Sequence, residues 1–249
     1  MRPPKRSPKS GKRPLKTLER VLSKAGLGSR SEARAWIAEG RVRVNGRPVC
    51  DPDRWVDLER DRVAFDGQPL RSARKRYILL YKPTGVITSY SDPQGRPTVY
   101  RLLGKVGTWV APVGRLDLET SGLLLLTNDT QFAERLTNPK YNVPKTYQVK
   151  AAGVLREEQL EPLRRGVDLE DGPALPADVT RLRGGANHTV LRITITEGRN
   201  RQVRRMFEAI GSKVLKLVRT SIGPLRIGDL PIGAWRELTG EEVSALQGR

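Results

Sequence analysis

The chain of 249 residues holds one cysteine and one histidine. A lone Cys50 excludes an intramolecular disulfide and suits a reducing cytoplasm. With His188 as the sole imidazole, no zinc site of the common His/Cys kind can be assembled. Cys–His or Ser–His–Asp catalysis would have to run through that same residue. His188 follows Gly184-Gly185-Ala186-Asn187, which reads as a hairpin turn, so it is expected at the surface. No apolar run approaches the roughly 18 residues of a membrane-spanning helix, and no apolar secretory segment stands near the start. There is no Gly-Lys-Ser/Thr phosphate loop, and Gly26-Leu27-Gly28 lacks a third glycine and follows a helical pattern rather than a strand. No internal repeat is visible. Any chemistry must come from carboxylates, cations and tyrosine.

Positive charge is what the chain has in excess, a formal +19. Residues 1–76 hold 21 basic and 9 acidic side chains, and residues 77–249 hold 25 and 18. Both parts are basic and the first more densely so. That points to a phosphate-rich partner, with an anionic membrane surface as the rival. The length suits one ordinary domain plus a small one, and a hydrophobic fraction of 37% is compatible with a packed core.

Residues 1–16 contain seven Lys/Arg, four prolines and no acid, the composition of a disordered basic tail. Leu18, Val21, Leu22 and Ala25 then recur at helical spacing up to Gly26. Ser29-Arg30-Ser31-Glu32 is a capping-box signature that opens a second helix, with Ala33, Trp36 and Ile37 inside and Gly40 as its stop. Arg41–Val49 alternates basic with apolar around Asn45-Gly46, a hairpin signal. A small helix-helix-hairpin domain is expected over residues 17–70. Lys24, Arg30, Arg34, Arg41 and Arg43 fall off its apolar positions and are candidate RNA contacts, although most charged faces are merely solvated.

Arg71–Arg76 reads as a linker. From Tyr77 to residue 249 strands are expected at 77–81, 86–88, 145–150, 190–196, 214–218 and 235–238, and helices at 131–136, over 151–165, from 201 and at 241–246. The absence of regular βαβ alternation favours an α+β fold, a mixed and mostly antiparallel sheet with flanking helices.

The centre of this second part is Gly114-Arg115-Leu116-Asp117-Leu118-Glu119-Thr120-Ser121-Gly122, running into Leu123–Leu126 and Thr127-Asn128-Asp129. Four consecutive leucines closed by a turn signal read as a buried strand. A carboxylate at its mouth, two residues from an arginine, suits chemistry on a polyanion. Read alone, Asp117 is equally a loop aspartate that caps a turn. Asp117 and Glu119 also raise the paired carboxylates of a glycoside hydrolase. Carboxylates two apart in one loop are rarely set on opposite sides of a sugar, and the basic charge suits RNA better.

The string Gly114-Arg115-Leu116-Asp117 with Thr120-Ser121-Gly122-Leu123-Leu124 resembles the catalytic motif of RNA pseudouridine synthases, closest to the RsuA/RluB type that modifies single sites in ribosomal RNA. Lys82-Pro83 with Gly85 resembles the family's first motif, which packs under the active site. Lys145-Thr146-Tyr147 resembles the strand that supplies an active-site tyrosine. Glu197–Met206 resembles the third motif, in which a basic residue pairs with the catalytic aspartate. Leu18–Val49 resembles the alpha-L RNA-binding module.

The resemblance implies isomerisation of uridine to pseudouridine with no metal or nucleotide cofactor, since nothing leaves and nothing is oxidised. Asp117 would be the catalytic carboxylate, as nucleophile or as base at the sugar. Tyr147 would lie against the uracil, and Arg204 would pair with Asp117, with Arg201 and Arg205 as alternatives. Arg115 would fill the space left by a flipped uridine or bind the neighbouring phosphate. The expected partner is ribosomal RNA, by a few residues around Asn200-Arg201 a stem-loop of the large subunit, free or in an assembling subunit, met by a monomeric cytoplasmic protein without membrane contact. A small-subunit synthase and a non-catalytic ribosome-assembly factor are the alternatives.

Overall fold

The computed structural model describes residues 15–71, 73–104 and 106–248. These form two compact units, one up to Arg74 and one from Lys75. Of the expected basic tail, residues 1–14 lie outside the described residues. Lys16 already belongs to the first unit, in β1 (Lys16–Thr17), which pairs with β4 (Trp55–Val56).

In the first unit α1 (Leu18–Lys24) and α2 (Arg30–Ala38) pack on a small sheet. The expected capping box is formed. Ser29 N–H donates to Glu32 Oε2 at 2.8 Å, and Glu32 N–H donates to Ser29 Oγ at 3.1 Å. The hairpin of β2 (Val42–Val44) and β3 (Arg47–Pro48) turns at Asn45 and Gly46, both at positive φ. β5 (Val63–Phe65) pairs with β2, and β6 (Gln68–Pro69) with β5. Leu18, Leu22, Ala33, Ile37 and Val42 are fully buried between helices and sheet. Glu19, only 2% exposed, is buried with them and accepts from Arg30 Nε at 3.0 Å, so an ion pair ties α1 to α2.

The second unit is α+β, as expected. Its elements are β7 (Tyr77–Lys82), α3 (Tyr100–Leu103), β8 (Ala111–Pro112), β9 (Thr120–Thr127), α4 (Thr130–Thr137), β10 (Lys145–Ala152), α5 (Glu157–Arg165), the small hairpin β11 (Asp168–Leu169) and β12 (Gly172–Pro173), β13 (Asp178–Gly184), β14 (His188–Ile195), α6 (Gln202–Ala209), β15 (Val214–Ile222), β16 (Leu225–Arg226), β17 (Trp235–Glu237) and α7 (Gly240–Leu246). The main sheet runs β13-β14-β10-β15-β9-β7-β17, with β8 beside β9 and β16 beside β15. Every pairing is antiparallel except β15 with β9. The leucine run is the buried strand β9, with all eight residues inside. Its alternate leucines serve two cores. Leu124 and Leu126 join α5 and α6, and Leu123 and Leu125 join α4 and α7.

Three expectations change. Val86–Thr88 forms no ladder, because Ile87 exchanges hydrogen bonds with the 97–99 backbone and Thr88 Oγ1 turns to Leu116. Within 151–165 the helix starts only at Glu157, because Ala151 and Ala152 complete β10 against β14. Of the linker 71–76, Lys75 and Arg76 are fixed to the second unit. Lys75 Nζ lies 2.6 Å from Asp129, a residue 6% exposed, and Arg76 N–H donates to Asn128 at 2.8 Å. His188 is half-buried at the start of β14, beyond the expected hairpin turn.

Candidate active site

A cavity of about 470 Å³ opens where the 113–120 loop, the start of β10, the middle of β15 and the turn before α6 converge. That volume lies in the range of small-ligand sites. Arg115, Asp117, Lys145, Tyr147, Arg201 and Arg219 are among the residues that line it.

The loop carrying Asp117 is held from beneath. Lys82, at the end of β7, has no exposed surface, and its Nζ donates to the carbonyls of Pro83 and Asp117 at 3.0 Å and of Thr120 at 2.8 Å. Gly85 N–H donates to the Leu118 carbonyl at 2.9 Å, and Thr88 Oγ1 to the Leu116 carbonyl at 2.8 Å. Leu116 anchors in the core while Leu118 points out, which leaves Asp117 half-buried at the cavity wall. Burial lowers the Lys82 ammonium to about 8, with the nearby Asp117 charge acting in the opposite direction.

Gly122 closes the loop and lies opposite Arg219 in the parallel ladder. Its φ is +111°, and a Cβ there would sit 2.2 Å from the Arg219 carbonyl oxygen. The two strands therefore approach closely only with glycine at this position. Arg219 is 4% exposed. Its Nε donates to the Leu123 carbonyl at 2.8 Å, and its Nη2 has no hydrogen-bond partner among the described residues. Lys145 lies near enough that burial first, and the Arg219 charge second, lower its pKa. Among the described residues neither cation has a carboxylate within 4 Å. Lys145 Nζ donates to the Val143 carbonyl at 3.0 Å, so both cations hold neutral carbonyls only, and an anion, or a group that becomes anionic, would be received here without displacing a carboxylate.

Tyr147, 8% exposed, shares this cavity with Asp117, and Arg115 lies exposed at its rim. None of the three candidate pairing arginines forms an ion pair with Asp117. Arg204 is buried at the first turn of α6. It donates from Nη2 to the Glu119 carbonyl at 3.0 Å and from Nη1 to the Val214 carbonyl at 3.3 Å, with the Glu119 carboxylate 3.6 Å away. Arg205 pairs with Asp171 at 2.8 Å. Arg201 lines the cavity but lies 3.8 Å from Glu119, with a positive φ that non-glycine residues rarely adopt. Among the described residues no ion pair to Asp117 is formed, so the guanidinium expected beside it braces the loop through Glu119 instead. Glu119 does not line the cavity, which removes the geometry a paired-carboxylate glycosidase needs. Arg219 was not among the expected site residues. In the sequence it stands just past the strand expected at 214–218, where no local pattern marks it as buried.

Residues 76–209 match the family model described as RNA pseudouridylate synthase, and residues 17–63 match the S4 domain. The chain belongs to the RNA pseudouridine synthase family. It is 42% identical over 235 residues to "Ribosomal large subunit pseudouridine synthase B" of Bacillus subtilis, covering 94% of this chain and 96% of that protein. It is also 42% identical over 230 residues to "Uncharacterized RNA pseudouridine synthase" of Aquifex aeolicus, covering 92% of each. A solved structure described as "Crystal structure of pseudouridylate synthase" shares 33% identity and a TM-score of 0.66 over 92% of this chain and 99% of that one.

This synthase's candidate RNA-contact cations on the first unit are mostly engaged internally. Arg34 makes a two-pronged pair with Asp53 at 3.0 and 3.1 Å, and Arg41 does the same with Asp66 at 3.0 and 2.6 Å. Arg30 is held by Glu19, and Arg43 Nη1 donates to the Gly46 carbonyl at 3.4 Å. Lys24 ends α1. The facing carboxylates raise the pKa of Arg30, Arg34 and Arg41, and the guanidinium groups lower those of Glu19, Asp53 and Asp66 in turn.

Proposed function

We propose that this enzyme isomerises a uridine to pseudouridine in large-subunit ribosomal RNA, in the cytoplasm and without a cofactor, with Asp117 as the catalytic carboxylate. The observation that carries this reading is the single cavity shared by Asp117, Tyr147 and cations that have no carboxylate of their own. A base inside folded RNA is out of reach, so the target uridine is unstacked and flipped into the cavity, at a cost of about a few kcal/mol. Asp117 acts at the sugar, where the bond from the anomeric carbon to the ring nitrogen breaks. The electron pair of that bond leaves with the uracil, which carries negative charge until it turns and re-forms the link through a ring carbon; that carbon then gives up its proton and the freed ring nitrogen takes one, so the base is isomerised with nothing gained or lost. Tyr147 holds the detached ring, and Arg219 with Lys145 offers the charge complement on the cavity floor. Arg115 and Arg201 face the neighbouring phosphates, and Arg204 keeps the loop in place through Glu119.

The names carried by relatives spanning most of the chain favour the large subunit over the small one. Incubating the protein with a large-subunit ribosomal RNA transcript and assaying pseudouridine tests the reading. Asp117→Asn is expected to lower the rate by a factor on the order of 10³ or more while RNA affinity changes little. Full activity in that variant would remove Asp117 from the mechanism. A non-catalytic assembly factor would bind the transcript and leave every uridine intact.

A further inference from the structure

The four strands β13, β14, β10 and β15 turn one face toward α5 and α6 and the other toward solvent. Register places the outward side chains in rows. Lys150 is opposite Val190 and Lys216, and Val190 is opposite Arg183. Gln148 is opposite Arg192, which is opposite Thr180. Thr146 is opposite Thr194 and Ser221, and Ser221 is opposite Arg226. Arg183, Arg192, Arg226, Lys150 and Lys216 are all exposed, and Asp178 is the one acid whose register puts it on this face. Four of the seven net positive charges of residues 77–249 therefore lie here.

Elsewhere on this unit arginines are tied to acids, as Arg164 is to Glu157, Arg205 to Asp171 and Arg236 to Glu242. Among the described residues no carboxylate lies within 4 Å of any of these five cations. Lys150 and Lys216 are directly opposite one another, an arrangement that destabilises a sheet unless an anion lies between. Beside them Thr146, Thr194, Thr220 and Ser221 bring hydroxyls to a shallow hollow with Arg192 and Arg226.

We infer that this outer sheet face is a second RNA-binding surface, which takes the phosphodiester backbone of the substrate away from the flipped uridine. This rests on the proposal that the substrate is a structured ribosomal RNA. A row from Arg183 to Lys216 crosses three strand spacings, about 14 Å, and so meets several phosphates at once.

The test is the salt dependence of binding to a large-subunit ribosomal RNA transcript by wild type and by the combined variant Lys150→Glu, Arg192→Glu, Lys216→Glu. The variant is expected to bind at least about tenfold more weakly, with the slope of log Kd against log salt smaller by about 2–3. The neutral variant with glutamine at the same positions should shift both readouts in the same direction by less, so misfolding of one variant does not decide the result. Single-turnover pseudouridine formation at saturating protein and low salt should stay within twofold of wild type. An unchanged affinity and slope in both variants overturns the inference, and leaves the face to solvent or to a protein partner. Pseudouridine formation by wild type on the same transcript tests the proposed activity separately, because the binding readouts do not depend on turnover.

Discussion

Asp117 and Lys82 show how one buried cation sets the position of a loop on the cavity wall. An ammonium has three hydrogens, and Lys82 directs them to three carbonyls, two of which belong to the Asp117 turn. Its pKa in the fold is about 8, below the 10.5 of a free lysine. As pH rises past 8 the amine keeps two hydrogens for three acceptors, and the brace between Lys82 and the Asp117 turn weakens. The rate constant for isomerisation is therefore expected to fall above pH 8, and Lys82→Met should lack that inflection. Stability moves the other way. The unfolded chain binds the extra proton between pH 8 and 10.5, so this group alone makes unfolding free energy rise with pH across that window. Lys82→Met removes a donor from three carbonyls, of which Asp117's keeps the Thr120 N–H, and should cost about 1–3 kcal/mol in urea denaturation at pH 7. A rate profile flat from pH 7 to 9.5 in wild type would refute the role given to Lys82. The motif around Asp117 was readable because chemistry constrains residue types in one short stretch. Arg219 was not, since its burial comes from β9, nearly a hundred residues away in the chain, and a single strand cannot show which side its neighbour covers.

The strand pair β9–β15 is the element that joins the loop to the cavity floor, and glycine makes the join possible. Gly122→Ala would drive a methyl against the Arg219 backbone in a region of φ closed to alanine. A loss of at least about 2 kcal/mol is expected, together with lower activity, because Asp117 and Arg219 both shift. Gly46→Ala, in the first-unit hairpin, has positive φ but nothing within 4 Å of the added carbon. Only the local backbone cost of about 1 kcal/mol should appear there, with activity at saturating substrate unchanged. Equal effects from the two variants, measured by chemical denaturation, would contradict the steric account of Gly122. Elements with their own punctuation are legible in the sequence alone. The leucine run, the capping box at Ser29 and the Asn45-Gly46 turn each carry their signal within a few residues. Val86–Thr88 did not hold as a strand because its composition suits extended backbone without naming a partner. The partners available were the 97–99 backbone and the Asp117 loop. Arg204 had a quieter signal. It stands between Val203 and Met206 and three residues before Phe207, on the apolar side of α6, where a guanidinium needs internal acceptors and finds them in the Glu119 and Val214 carbonyls.

Across the whole molecule the +19 is unevenly placed, and its placement matters more than its size. Residues 1–16 contribute +7 and residues 71–76 contribute +4, whereas residues 17–70 come to only +1. The module matched as an S4 domain is thus nearly neutral, and Arg30, Arg34 and Arg41 already face carboxylates. Its contribution to RNA recognition should lie in shape and in hydrogen bonds from cations held at fixed positions, with little net counterion release. Long-range, salt-sensitive attraction should come from the basic segments instead. Removing residues 1–14 deletes six Lys/Arg and is expected to lower the slope of log Kd against log salt on ribosomal RNA by up to about 4–5. The rate at saturating RNA should stay the same. Arg34→Ala should leave that slope nearly unchanged, because it frees the Asp53 carboxylate as it removes a guanidinium already paired with it, and it should show instead as poorer discrimination between the modified site and other uridines. If Arg34→Ala changed the salt slope as much as the deletion did, charge density rather than charge position would govern how this enzyme meets its RNA.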